Sequence, residues 1–387
     1  MNLWGKKLAE IREEDLRILI ETQVPEGRYI EYQSQLPGRT DKVKKEFLKD
    51  ISSFANADGG HIIFGIRAEG GIPVEICGLQ TENPDEQIQF LENLLRNGVE
   101  PHIPGVDFQQ INLSGGRDWA LVVRIPKSWR TPHMVTLQLR DHERFFGRDS
   151  RGRHAFDYHE IRDSFLQFGK NLERIQGFSL NRIEKINGEN PLGLVQGPKA
   201  VLHLVPLSFL DSSLTVDLKR VRSLMEDLEM PRDFGTSVRY NYDGILLFEP
   251  HSKGNAWTYQ FFRQGAVEFV FVFLFTETES FKKAIFVDTL EANMRNFLGK
   301  TSELYKEISI IPPFFFWLSL LGVKGYMVAK DRRGLLFQPG NYRIDRNDLL
   351  LPSWVIEDFE VPIDKIVQEA LDIIWNSAGF TGRPVSN

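Results

Sequence analysis

Cysteine is nearly absent from this sequence, since Cys77 is the only one among its 387 residues. A single cysteine excludes an intramolecular disulfide and a cysteine-rich zinc site, and it fits a reducing compartment. The N-terminus has no apolar stretch of signal-peptide length before acidic residues begin. The most apolar runs are 266–275, which is short, and 308–323, which Pro312 and Pro313 interrupt, so we expect neither to span a bilayer. These features predict a soluble cytoplasmic protein without membrane contact, in which the first run is a buried strand and the second a buried helix.

Several signatures of familiar chemistry are also missing. No G-x-G-x-x-G or G-K-[ST] motif stands at a strand-to-helix turn, which argues against dinucleotide and Walker-type phosphate sites. No G-x-S-x-G motif occurs, and the eight histidines show no metal-ligand spacing. The formal net charge is −6, so contact with nucleic acid would require a local basic patch and not an overall positive field.

The length of the chain suits two domains. In the first half, helical patterns alternate with short strand-like segments, without the regular repeats of a doubly wound parallel sheet. Residues 170–198 are rich in glycine, asparagine and proline, which is typical of a linker. We therefore predict an α+β protein with a first domain over 1–169, a linker over 170–198 and a second α+β domain over 199–387.

Two glutamates, Glu26 and Glu31, stand out in the segment PEGRYIEYQSQLP (25–37). On one continuous strand, residues five apart point to opposite faces. Their carboxylates converge only if Glu26 lies on the turn that Pro25 and Gly27 indicate, with Glu31 on the strand. Two convergent carboxylates would suit Mg²⁺ or Mn²⁺, which prefer oxygen ligands. The alternative is a pair of solvated surface acids.

A basic stretch, 124–161, carries eight arginine and lysine residues before Phe156, with aromatic residues among them. Guanidinium groups pair with phosphates, and aromatic faces can stack on exposed bases. The alternative is a solvated hairpin of mixed charge. Together with two lysines on the polar side of the helix predicted over 41–57, the candidate nucleic-acid contacts are Lys45, Lys49, Arg130, Arg144, Arg148 and Arg151.

Five short segments, in this order, resemble the Schlafen AlbA-type domain. They are Glu26 with Glu31-Tyr32, then Phe54-Ala55-Asn56-Ala57-Asp58-Gly59-Gly60, Phe64-Gly65-Ile66, Pro126-Lys127-Ser128-Trp129-Arg130-Thr131-Pro132, and Phe145-Phe146-Gly147-Arg148. The resemblance covers roughly the first 165 residues. It implies a mixed α/β, AlbA-like domain that handles nucleic acid.

The same resemblance implies a site of three acids that holds a metal ion. Glu26 and Glu31 would be two of the metal-binding, catalytic acids, and Glu69 is the nearest acid to the usual place of the third. The family commonly has an aspartate directly after the F-G-[IV] strand, where this chain has Arg67 and Ala68. It also commonly has lysine where this chain has Gln33. The first departure weakens the case for a nuclease, and the second removes one possible phosphate contact.

Three functions remain open on the sequence. The first is a Mg²⁺- or Mn²⁺-dependent endoribonuclease acting on transfer or ribosomal RNA, in stress or antiphage defence. The second is a regulator that binds DNA or RNA without cutting it. The third is a ligand-sensing or scaffold protein that works through its second half, which a concave pocket lined by Trp257, Tyr259, Phe261 and Arg263 would favour. Because one copy of the domain is recognisable, we also expect a homodimer or a related lobe in the second half.

Overall fold

The computed structural model of the chain divides into two compact units, Met1–Asn171 and Leu172–Asn387. Both units combine helices and strands, so the predicted α+β class is confirmed. The described residues are 6, 8–80, 83–114, 119–137, 144–211, 215–227, 236–272, 275–277, 282–330 and 342–382. None of the helices in these ranges is both long enough and apolar enough to cross a bilayer.

The first unit is built on a four-stranded mixed sheet. Its helices are α1 (Glu13–Glu21), α2 (Asp41–Asn56), α3 (Pro84–Gly98) and the start of α4 (Tyr158–Gly188), after a short 3-10 helix at Leu8–Glu10. Its strands are β1 (Ile30–Gln33), β2 (Gly60–Phe64), β3 (Ile66–Glu69), β4 (Ile72–Ile76), β5 (Val99–Glu100), β6 (Asp107–Asn112), β7 (Trp119–Ile125), β8 (Met134–Val135), β9 (Phe146–Asp149) and β10 (Gly152–Ala155). The sheet order is β1-β2-β7-β6, and three antiparallel pairs, β3–β4, β5–β8 and β9–β10, surround it.

The central strands β2 and β7 are buried on both faces, which explains the apolar runs 62–64 and 119–123. Because successive side chains alternate between faces, Ile62 and Leu121 pack in the core that includes α2 and α3. Ile63 and Val122 pack on the opposite face, in the core that includes Leu16 of α1. Strand β1 runs parallel to β2, while the other neighbouring pairs are antiparallel. This parallel register places the start of β1 beside the start of β2 and the end of β1 beside the end of β2.

The second unit is built on a large antiparallel sheet of order β12-β13-β14-β15-β11-β18-β20, in which β21 also pairs with β18. Its strands are β11 (Lys199–Pro206), β12 (Ser237–Tyr240), β13 (Gly244–His251), β14 (Gly254–Phe262), β15 (Val267–Phe271), β16 (Phe275–Glu277), β17 (Lys282–Phe286), β18 (Phe314–Leu321), β19 (Met327–Ala329), β20 (Asp348–Leu350) and β21 (Trp354–Ile356). Its helices are the end of α4, α5 (Leu218–Asp227), α6 (Val287–Glu307) and α7 (Ile363–Ser377), with a 3-10 helix at Leu207–Leu210. Strands β16, β17 and β19 form a separate small sheet.

The structure corrects several expectations. Residues 170–188, predicted as linker, continue helix α4, because Ile175, Ile183 and Ile186 recur at helical spacing and are buried. The run 308–323, expected as a helix, contains strand β18, which is buried along its whole length. Within the basic stretch 124–161 the structure has one described hairpin, β9–β10, over 146–155, and residues 138–143 lie outside the described ranges.

In the described part of the chain, the structure has no open pocket around Trp257, Tyr259 and Phe261, where a concave pocket would favour the third function. These three side chains are buried in the main core of the second unit. Tyr259 contacts the rings of Phe269 and Phe297, and Arg263 lies exposed at the end of the strand. The feature that would have favoured a ligand-sensing second half is therefore not found among these residues.

A buried polar cluster lies on the other face of this sheet, beneath α4. Arg182 donates two hydrogen bonds to the carboxylate of Glu268, at 2.9 and 2.7 Å. The ring of His203 contacts Glu268 through Nε2 and Ser179 through Nδ1, both at 2.9 Å. Although burial alone would raise the pKa of Glu268, the hydrogen bonds from Arg182 and His203 lower it to about 2. The carboxylate therefore stays charged inside the protein because its partners are in place.

We predict that Arg182→Met destabilises the protein by about 3–5 kcal/mol, because the substitution leaves Glu268 charged, buried and without its main partner. Urea denaturation of the full chain measures the change. Arg346→Met is the matched control, since Arg346 is exposed and pairs with the exposed Asp345, and its loss should cost less than about 1 kcal/mol. Equal losses for the two variants would contradict a stabilising role for the buried pair.

Candidate functional site

A pocket of about 610 Å³ opens in the first unit where four segments meet. These are the turn before β1 with β1 itself, the middle of α2, the turn between β3 and β4, and the β9–β10 hairpin. The lining is mainly polar and charged. It consists of Glu26, Gly27, Glu31, Gln33, Glu46, Asp50, Gly70, Gly71, Arg148, Arg151, Gly152 and Arg153.

Glu26 and Glu31 both line this pocket, as their predicted convergence requires. Glu26 precedes β1 on a turn closed by a hydrogen bond from the Gly27 amide to the carbonyl of Ile30, at 3.1 Å. Its Oε1 accepts a hydrogen bond from the backbone amide of Tyr32, at 2.9 Å. Burial raises the pKa of Glu26, the Tyr32 amide opposes this effect, and the charge of Glu31 adds to it.

Arg148 occupies the wall of the pocket and is almost completely buried, with 3% of its side chain exposed. Its guanidinium donates to Oε2 of Glu31 and, through Nε, to the carbonyl of Gly27 at 2.7 Å. The group also lies 4.0 Å from the ring centroid of Phe54. Predicted as a nucleic-acid contact, Arg148 is instead an internal cation, since its donors are directed at the protein.

Two further acids, Glu46 and Asp50, enter the pocket from α2 and were not singled out in the sequence. Arg153 binds both, with 2.5 Å to Oε2 of Glu46 and 2.6 Å to Oδ1 of Asp50. Burial and the charge of Glu31 raise the pKa of Asp50 to about 7, against the opposing charges of Arg153 and Arg148. The i, i+4 spacing of the two acids places them on one side of a helix, and it is the signal that could have found them.

Glu69 does not join the pocket. It lies on β3, where its carboxylate pairs with Arg67 of the same strand, and two-thirds of its side chain is exposed. The three acids that the resemblance implies as metal ligands are therefore not brought together. Within the described ranges, no three histidine, cysteine or acidic side chains are placed to hold a metal ion. The residues present do not fit the expected Mg²⁺ or Mn²⁺ site.

The predicted basic contacts divide into internal and accessible groups. Lys45 is buried, with 2% exposure, which contradicts a role in contacting nucleic acid. Lys49 donates to Glu46 at 2.9 Å and is also mostly buried. Arg144 is exposed, Arg151 is 90% exposed at the rim of the pocket, and Arg130 is partly exposed over the ring of Trp129. These last three arginines form the accessible set.

The side chain of Asn56 links the sequence segments that surround this pocket. Its Nδ2 donates to the carbonyls of His133 and Phe146, at 3.1 and 2.9 Å. Its Oδ1 accepts from the amide of His133 at 2.7 Å and from the hydroxyl of Thr131 at 3.3 Å. One amide side chain at the end of α2 thus joins the proline-rich segment to strand β9.

Gly59, three residues after Asn56, allows the backbone around Ile125 and Lys127 to approach closely. Its φ is +74°, and a Cβ there would lie 2.6 Å from the amide nitrogen of Lys127 and 2.7 Å from the carbonyl oxygen of Ile125. The backbone contact requires glycine for both reasons, its conformation and its lack of a side chain.

The comparisons with known proteins found a family match within the first unit. Residues 26–157 match the family described as Schlafen, AlbA_2. No curated protein matches the chain. Among solved structures, one similar domain is the N-terminal domain of a putative ATP-dependent DNA helicase RecG-related protein from Nitrosomonas europaea. It is 20% identical over 40% of this chain and 97% of that one, with a TM-score of 0.27.

A second solved structure with some similarity is the DIP2311 protein from Corynebacterium diphtheriae. It is 13% identical and the match covers 59% of this chain and 42% of that one, with a TM-score of 0.27. At these identities and TM-scores, neither likeness bears on what the chain does.

We predict that Asn56→Ala destabilises the protein by at least about 2 kcal/mol, since it leaves buried backbone groups of His133 and Phe146 without partners. Thermal or urea unfolding measures the loss. Asn97→Ala is the control, because Asn97 lies exposed on α3 and its side-chain amide donates to the carbonyl of Asn93, one turn earlier in the same helix. A loss no larger than that of the control would show that Asn56 does not hold the two segments together.

Proposed function

We propose that the protein binds nucleic acid through its first unit, whose residues 26–157 match the Schlafen, AlbA_2 family, without cutting it. The observation that carries this proposal is the pairing of Arg148 with Glu31. A carboxylate already neutralised by a buried guanidinium is a poor ligand for a metal ion. The exposed position of Glu69, on β3, supports the same conclusion.

The accessible arginines supply the contacts that a phosphate backbone requires. Arg130, Arg144 and Arg151 all belong to the basic stretch, and Arg151 extends from the pocket rim into solvent. Arg130 lies 4.9 Å from the ring centroid of Trp129, an arrangement in which the guanidinium plane is held by an aromatic face. Guanidinium groups presented in this way can pair with phosphates or stack on exposed bases.

We expect that replacing Arg130, Arg144 and Arg151 together with glutamine weakens binding to single-stranded RNA or DNA and flattens its salt dependence. Each lost phosphate contact should reduce the slope of log affinity against log salt by about 0.7 for a single strand. Fluorescence anisotropy across a salt series, with matched RNA and DNA oligomers, measures both effects.

The matched control replaces three arginines at the surface of the second unit, Arg222, Arg239 and Arg346, with glutamine. It removes the same charge from the chain and should leave the slope unchanged. If both triple variants reduce the slope equally, the effect is one of net charge, and the binding surface does not lie on the first unit.

The second candidate is a Mg²⁺- or Mn²⁺-dependent endoribonuclease, with transfer or ribosomal RNA as its substrate and stress or antiphage defence as its setting. The observation that favours it is that Glu26 and Glu31 line one pocket. On this hypothesis the carboxylates would hold the ion, and the ion would stabilise charge on the phosphodiester. The pairing of Glu31 with Arg148 makes Glu31→Gln a poor test, because that substitution also disturbs a buried cation.

Glu26→Gln tests the nuclease hypothesis more cleanly, since a glutamine Oε1 can still accept the Tyr32 amide. We predict that the wild-type protein leaves structured RNA intact in Mn²⁺, so that the variant and the wild type behave alike. Gel analysis of end-labelled RNA is the measurement, with Glu75→Gln as a control at an exposed acid of β4. Mn²⁺-dependent cleavage that Glu26→Gln abolishes and Glu75→Gln preserves would replace the binding proposal with the nuclease.

A further inference from the structure

The pocket of the first unit has the volume of a small-ligand site. Its roughly 610 Å³ lies within the range of about 300–1,000 Å³ found for such sites. Three of its four carboxylates are neutralised by cations that belong to the protein. Arg148 pairs with Glu31, and Arg153 pairs with both Glu46 and Asp50.

Glu26 differs from the other three acids. Across the part of the chain that the structure describes, no cationic side chain lies within salt-bridge distance of its carboxylate. One oxygen accepts the amide of Tyr32, and the other lies beside Gly71, where a Cβ would be 3.4 Å away. A carboxylate can accept about four hydrogen bonds, so Glu26 keeps unused acceptor capacity on a side that glycine leaves uncovered.

We infer that this pocket receives the edge of an unpaired nucleobase, with Glu26 accepting hydrogen bonds from adjacent N–H groups. The inference rests on the proposed nucleic-acid binding and assigns its specificity. Arg151 lies on the rim, where it can pair with the phosphate of the same nucleotide. Bases that leave a stack are commonly recognised by hydrogen bonds to their Watson–Crick edge.

Guanine fits such an acceptor better than the other bases. Its N1–H and its exocyclic amino group are neighbouring donors, which match the two oxygens of one carboxylate. Uracil offers one N–H between two carbonyl oxygens, and those oxygens repel a carboxylate. Arg148 and Arg153 hold the other acids, so the ligand has to supply donors for Glu26 only.

The test compares short uridine oligomers that carry one central guanine with the all-uridine oligomer and with an oligomer carrying inosine, which lacks the amino group. Fluorescence anisotropy with the full chain should give about tenfold tighter binding for guanine than for uridine, with inosine between them. Glu26→Gln should remove this preference. Arg151→Ala should weaken binding to all three oligomers by a similar factor.

The control is Glu75→Gln, which should keep the preference, and thermal unfolding establishes that Glu26→Gln remains folded. Binding of all oligomers without a guanine preference, or a preference that survives Glu26→Gln, would overturn this inference alone. Binding of none of them would overturn the proposed function as well. Glu26-dependent binding of Mn²⁺ in the absence of nucleic acid would assign the pocket to a cation and would also overturn the inference.

Discussion

The buried guanidinium of Arg148 holds the candidate site together. It reaches Glu31 of β1, the carbonyl of Gly27 before that strand, and the face of Phe54 on α2. Arg148 itself lies on β9, more than ninety residues after α2 in the chain. Three parts of the sequence that are far apart therefore depend on one cation, and the pocket exists only when all three are assembled around it.

Each unit contains buried arginine paired with acidic residues, but the surroundings of these pairs differ. A buried charge is costly unless a partner of opposite charge and further hydrogen bonds compensate it. In the second unit, the pair of Arg182 and Glu268 is closed off beneath α4 and supports the fold. In the first unit, the pairs of Arg148 and Arg153 face an open pocket, so the same chemistry leaves acceptor groups within reach of a ligand.

The sequence predicted what local patterns determine. The turn that brings Glu26 toward Glu31 follows from neighbouring residues, Pro25 and Gly27. Lys45 could not be placed in this way, because α2 is covered on a second side by β9, which comes about a hundred residues later. The run containing β18 was misassigned because a short, fully apolar segment has no periodicity that separates a strand from a helix.

Two groups hold the proline-rich segment at the end of α2. One is the side chain of Asn56, and the other is the Ser128 amide, which donates to the carbonyl of Ala55 at 2.9 Å. The same asparagine holds Phe146, two residues before Arg148. Local unfolding in proteins proceeds in cooperative blocks that share such bonds. We therefore expect one such block to contain the end of α2, the proline-rich segment and the β9–β10 hairpin. A fluctuation that frees the hairpin would also remove the wall of the pocket, so the site is lost as a whole.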